Sequence, residues 1–487
     1  YHVVDGKFTG IPKTTTYAEK RYVNRRYSYT NVYMTETTLT EDNRSIEYEY
    51  TKDMSGAILA QKKYEYDSFG NVTAEHIWLK DTNSDGVYDF DDDIVSRYYA
   101  EVLNPDSTVN VTLSGSNTIN ADGETEAAAQ TSYKLDLYGN AVSKTDPLGN
   151  VSYITYDALS RPLLYTLPND STMQIEYNQT QNYTCVTDRT GVKTKYVYNA
   201  RNKLIGVYKQ IGDEWIMLES SEYDSKERPC QKITYTSLTD GTKEIYSYDC
   251  ISRPVVRSVY TLDGEEKYTE RTAYSVKSGK VHETKTVDEL PVSQETTVYD
   301  EFGKNCGQIR KYGDTEYSST IEYDYLDRKI AEVDPRGART EYAYDLRGNL
   351  VSKTDSSGAM TTYSYDMAGR KLKETDARQN ITHFTYDELG RIIRVTSPAD
   401  GNQTAETLTY YDLNSNVIKE KIKTENEQYI VTEYAYDNTG NVTTVTGKCN
   451  EGDSVVRNVY DSAGRVIKQF NGDAYIQYAY NNAGYVS

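Results

Sequence analysis

Thr340-Glu-Tyr-Ala-Tyr-Asp-Leu-Arg-Gly-Asn-Leu-Val-Ser-Lys-Thr-Asp-Ser-Ser-Gly358 holds one full copy of the pattern from which the chain is built. Tyr342 and Tyr344 are two apart, so in a strand they share a face. Asp345 then opens a turn: its carboxylate accepts from the backbone two residues on, and Gly348 supplies the positive φ. This is the residue order of a tight hairpin with a glycine bulge. Leu350 to Thr354 reads as the return strand, and Asp355 with Gly358 repeats the turn chemistry at its far end. Asp334-Pro-Arg-Gly337 and Asp146-Pro-Leu-Gly149 are stronger versions, with proline pre-set for the second turn position.

The tyrosine–aspartate pair recurs. Tyr323-Asp324, Tyr344-Asp345, Tyr365-Asp366 and Tyr386-Asp387 follow one another every 21 residues, and looser copies continue at Tyr411-Asp412, Tyr436-Asp437 and Tyr460-Asp461. Earlier copies include Tyr66-Asp67, Leu135-Asp136, Tyr156-Asp157, Tyr198-Asn199, Tyr223-Asp224, Tyr248-Asp249 and Tyr299-Asp300. A period of this length marks one supersecondary unit that buries its apolar face only by stacking on neighbours. The fold class expected is all-β: a long antiparallel ribbon of repeated hairpins. Tyrosine supplies 50 of the 487 residues, which suits strands with one apolar and one wet side. No sustained 3.6-residue apolar period argues for helices.

Charge and length set bounds. A net charge of −20 argues against a nucleic-acid partner and against binding to an anionic membrane surface. No apolar run approaches the roughly 18 residues of a membrane span. Residues 1–63 read as degenerate repeats and 64–487 as the array proper, interrupted by an insertion at about 73–131. The start at Tyr1-His2-Val3 and the stop at Tyr485-Val486-Ser487 suggest a piece of a longer polypeptide. Five scattered cysteines do not form a disulfide framework and read as free thiols packed in strands.

The pattern Tyr-x-Tyr-Asp-x-x-Gly-Arg/Asn resembles the YD repeat of the Rhs, wall-associated and teneurin proteins. It stands as Tyr363-Ser-Tyr-Asp-Met-Ala-Gly-Arg-Lys-Leu372, Phe384-Thr-Tyr-Asp-Glu-Leu-Gly-Arg-Ile392 and Tyr434-Ala-Tyr-Asp-Asn-Thr-Gly-Asn-Val442. The resemblance implies a ribbon coiled into a spiral shell or barrel-like cocoon. It also implies a role as the wall that encloses a C-terminal toxin or effector domain in a secreted or surface-exposed bacterial protein. Sheet physics points the same way. About sixteen two-strand units would make a ribbon on the order of 150 Å long, and curling hides its apolar face and protects its edges. The paired Asp-Pro-x-Gly-Leu core at which toxin-class Rhs shells cleave themselves has no match, so autoproteolysis is not expected. The alternative reading is a cell-surface adhesion or carbohydrate-binding array, with tyrosine faces stacking on surface glycans.

Within the insertion lies Asp81-Thr-Asn-Ser-Asp-Gly-Val-Tyr-Asp-Phe-Asp-Asp92. Oxygens at positions 1, 3, 5, 9 and 12 with glycine at 6 match an EF-hand-type loop, most like those of dockerins. Asp81, Asn83 and Asp85 would offer side-chain oxygens to Ca²⁺, Val87 its carbonyl, Asp89 a direct or water-bridged contact, and Asp92 the last ligand. No enzyme chemistry is expected. The four histidines lie far apart, and His-Glu-x-x-His, Gly-x-Ser-x-Gly and Cys-x-x-Cys are missing from the sequence. The recurrent aspartates sit at turn offsets, which favours a structural role over paired catalytic carboxylates.

Overall fold

The structure of the chain, a computed structural model, describes all residues except 1, 5–6, 24–25, 81–92, 105, 107, 116, 238, 278–279, 288–292, 301–302, 325, 400–402, 425–427, 449–451, 481–485 and 487. Among the described residues it is built from strands and turns, and no helix is long and apolar enough to cross a membrane. The local reason is visible in Arg339–Tyr344. Thr340, Tyr342 and Tyr344 are half-buried while Arg339, Glu341 and Ala343 are exposed, the strict alternation of a strand with one covered face. Ile381–Tyr386 repeats it, with Phe384 and Tyr386 on the covered side.

The strands join in one antiparallel sheet of 38 strands, each hydrogen-bonded to its neighbours in chain order. The register slips by one residue immediately before the tyrosine of the pair, at Glu322/Tyr323, Ser364/Tyr365, Thr385/Tyr386 and Ala435/Tyr436 among others. Each slip is a bulge that sharpens the local twist and turns the chain into the Asp-x-x-Gly corner. Gly348 holds φ at 94° there. Where glycine is replaced the conformation persists, with Ser160 at 58° and Gln379 at 67°, because the flanking bonds dictate it.

The interval between Asp67 and Asp136 stays in the sheet. Val72–Lys80 pairs with Asp93–Leu103, which pairs with Val109–Gly115, which pairs with Gln130–Leu135. Among the described residues one excursion leaves it, a small hairpin of Thr118–Ile119 and Thr125–Glu126.

Two units can be distinguished. The first comprises residues 1–161, 166–170 and 342–478, and the second 162–165, 171–341 and 479–487. Few side chains in either are fully buried. The accessible surface of 29883 Å² far exceeds the roughly 18,000 Å² expected of a compact monomer of 55.4 kDa. In the first unit a buried cluster of Ala121, Ile393, Leu408 and Tyr410 forms where the early and late stretches of the ribbon meet.

Candidate functional site

The ribbon has two edges, and the turns alternate between them. One carries the tyrosine–aspartate corners, and the other the return turns such as Asp53–Gly56, Asp146–Gly149 and Asp355–Gly358.

Every well-formed corner uses its aspartate in the same way. At Asp345, Oδ1 accepts the N–H groups of Arg347 and Asn349, while Oδ2 accepts from the Asn349 side chain at 2.8 Å. Elsewhere arginine holds that fifth position. Arg161 Nε donates to Asp157 at 2.7 Å, Arg370 to Asp366 at 2.6 Å and Arg391 to Asp387 at 2.5 Å. The carboxylate thus satisfies the inside of the turn with charge-assisted bonds. These bonds hold several carboxyls below the ordinary range: the Arg161 side chain does so for Asp157, the Asn380 side chain for Asp376 and the Ser357 hydroxyl for Asp355.

The tyrosine links one corner to the one before it. Tyr365 donates to the carbonyl of Leu350, Tyr386 to Lys371, Tyr411 to Ile392 and Tyr436 to Val417. In each case the acceptor is the residue just after the preceding corner's fifth position. The fifth-position arginine also lies over the next ring, with Arg391 4.6 Å from the Tyr411 centroid and Arg253 4.0 Å from that of Tyr274. Arg370 and Arg391 reach on to the carbonyls of Asp387 and Asp412. Aspartate, arginine and tyrosine therefore form a ladder along the edge. Sequence reasoning assigned tyrosine to face packing and left the fifth position without a role. The signal was there, since Arg or Asn follows the corner glycine again and again.

Within the first unit this edge docks on the return-turn edge of an earlier stretch. Arg347 donates to the Leu59 carbonyl at 3.3 Å, and the Met367 N–H to the Leu79 carbonyl at 3.1 Å. Glu388 accepts the Ile119 N–H at 2.8 Å, Asn414 donates to Asp146 at 2.7 Å, and Asn438 to the Pro168 carbonyl at 2.8 Å. All five docking residues occupy the first or second place after a corner aspartate. The small hairpin clips across the seam. Tyr410 donates to Asp122 at 2.8 Å, Lys421 pairs with Asp122, and Arg394 donates to the Ala121 carbonyl. The Tyr410 hydroxyl, with Lys421 behind it, holds the Asp122 carboxyl below its usual range.

The calcium-type residues Asp81, Asn83, Asp85, Val87, Asp89 and Asp92 lie outside the described residues. Their flanking strands are paired through Trp78–Ile94 and Lys80–Asp93. Among the described residues no group of three His, Cys, Asp or Glu is placed to hold a metal. Cys185 and Cys306 are buried in strands as expected, but Cys250 is exposed. It occupies the first place after Asp249, a corner rather than a strand, where side chains point off the edge.

Residues 246–487 match the teneurin YD-shell family. No curated protein matches the sequence. Among solved structures, TcdB2-TccC3 without its hypervariable C-terminal region superimposes with a TM-score of 0.38 at 11% identity, covering 94% of this chain and 35% of that one. The TcdB2-TccC3-Cdc42 crystal structure gives 0.36 at 11%, covering 92% and 34%. The Photorhabdus luminescens Tc holotoxin pore carrying TccC3-D651A gives 0.35 at 11%, covering 96% and 36%. The chain thus spans about a third of the chains it resembles. The corner ladder continues upstream of the matched segment, through Asp67, Asp157 and Asp224, and residues 246–487 belong to the YD-shell family.

Proposed function

We propose that the chain is a length of wall in a hollow YD shell that encloses a C-terminal toxin or effector domain in a secreted or surface-exposed bacterial protein. One observation carries this reading: within the first unit the sheet docks on itself edge to edge, through contacts between residues 268 to 299 positions apart. Such self-docking is what a wall coiled around a cavity would require. Small-angle scattering tests it. A solid particle of this length has a radius of gyration of about 23 Å. A wall around a cavity gives a clearly larger value and a distance distribution skewed to long vectors, and the compact value would sink the proposal. For the cargo, limited proteolysis of the parent polypeptide should spare the enclosed domain until the wall is unfolded.

We further infer that Ca²⁺ orders the 81–92 loop. The support is the ligand pattern together with the pairing of its flanking strands, next to the seam contact between Leu79 and Met367.

A further inference from the structure

The hairpin of Thr118–Ile119 and Thr125–Glu126 sits on the sheet as a ligand sits on a receptor. Three neighbouring strands, Ile392–Pro398, Thr404–Tyr411 and Val417–Lys423, build the receiving face. Arg394 is paired with Leu408, Leu408 with Lys421 and Tyr410 with Lys419, so these side chains share one side of the sheet. Further strands, Ile381–Tyr386 and Tyr429–Tyr436, continue the sheet on either side, so the site uses a face and no edge.

The contacts show what this face recognises. Ala121 joins the apolar cluster of Ile393, Leu408 and Tyr410. Arg394 donates to the Ala121 carbonyl at 3.1 Å, and the Tyr410 hydroxyl to the Asp122 carboxylate at 2.8 Å. The Lys421 ammonium lies 3.4 Å from the same carboxylate. The tip keeps its own shape: Asn120 Oδ1 accepts the N–H groups of Asp122 and Glu124, both at 3.0 Å, and Gly123 holds φ at 84°. The face therefore fits a tight turn that presents a small apolar residue, then aspartate, then glycine.

The chain's own hairpin is an imperfect occupant. Only two residue pairs join its strands, too few for stability without docking. Among the described residues the hydroxyl of Thr118, which is 1% exposed, meets no hydrogen-bond partner, a cost that a better-matched turn would not carry. Of the cations on this face, Arg394 is matched by Glu406 at 3.5 Å. Lys419, 4.7 Å from the Tyr410 ring centroid, makes no ion pair among the described residues. The Asp122 side chain stays 46% exposed, within reach of a competitor.

We propose that this face is a binding site for an acidic Asp-Gly turn of a partner polypeptide, kept closed by the chain's own hairpin. The partner's aspartate takes the place of Asp122 between Tyr410 and Lys421, and a second carboxylate meets Lys419. The inference concerns one face of the first unit and does not depend on an enclosed cargo.

Fluorescence anisotropy is the test, with a labelled cyclic peptide of residues 117–127 as the probe. In the full chain Asp122→Ala loosens the resident hairpin and should raise probe affinity at least about ten-fold over wild type. Adding Tyr410→Phe or Lys421→Gln to that variant should remove at least about ten-fold, because each takes away a charge-assisted bond. The probe carrying Asp122→Asn should bind weaker by a similar factor, a comparison that needs no further change in the protein. Salt should weaken binding of the unaltered probe. Equal affinity of wild type and Asp122→Ala, binding by neither, or indifference to the probe's carboxylate overturns the proposal.

Discussion

The Tyr386 hydroxyl donates to the carbonyl of Lys371 at 2.9 Å, while Arg370, the residue before that acceptor, lies 5.1 Å from the Tyr386 ring centroid. The first member of each pair is therefore a fastener between repeats as well as a packing residue. Tyr386→Phe keeps the ring and should cost about 1 kcal/mol, since a part-buried carbonyl loses its donor. Tyr363→Phe, on the same strand face, should stay within about 0.5 kcal/mol. Urea unfolding of both variants checks this.

Asp387 is 2% exposed and pairs with Arg391 through Nε at 2.5 Å. Asp387→Asn leaves that guanidinium against a neutral partner inside the seam, and should destabilise by roughly 3 kcal/mol. Asp67 makes the same turn bonds on an open edge, so Asp67→Asn should shift the unfolding midpoint far less. Equal effects at the two sites would show that seam burial has no part in the difference.

Stability should fall off on both pH flanks. Corner and return-turn carboxyls such as Asp157 and Asp376 are lowered in the folded chain, by the Arg161 and Asn380 side chains first. Their contribution is complete above the unfolded value of about 4, and is lost as pH drops through the lower folded values. The tyrosines Tyr386, Tyr411 and Tyr436 are shifted upward, burial being the main cause, and Tyr64 rises to about 12. Their contribution is intact below about 10 and disappears as pH climbs through the raised values. Urea midpoints measured across the range should form a plateau with two shoulders.

The hairpin clip should be separable from the sheet. Asp122→Ala removes the acceptor shared by Tyr410 and Lys421. Hydrogen exchange should speed up at Ile119, whose N–H is bonded to Glu388 across the seam, and leave the second unit unchanged. Uniform change along the chain would argue against a local clip.

Titration calorimetry should detect calcium binding with a dissociation constant on the order of 10⁻⁴ to 10⁻³ M, as for extracellular modules. Asp85→Ala should abolish the heat. A wild-type chain that gives none refutes the loop assignment.

Much of this was legible in the residues. Alternation at Tyr342 and Tyr344, the Asp345 carboxylate and the positive φ at Gly348 follow from strand period and turn chemistry, which act within a few positions. The Tyr386–Lys371 bond was harder to foresee because it depends on the bulge, and the bulge depends on pairing with a neighbouring strand. The seam was harder still. Nothing near Asp122 announces Tyr410, which lies 288 positions away in the sequence.

The seam has an evolutionary corollary. Seam partners such as Leu59 and Leu79 are approached through backbone carbonyls, which any repeat can present. Loss or duplication of one whole 21-residue copy between the two stretches would slide the courses by one notch and recreate most of these bonds. Asp122 with Tyr410 and Lys421 would find no substitute. The chain thus combines a forgiving rack of interchangeable teeth with one keyed pawl.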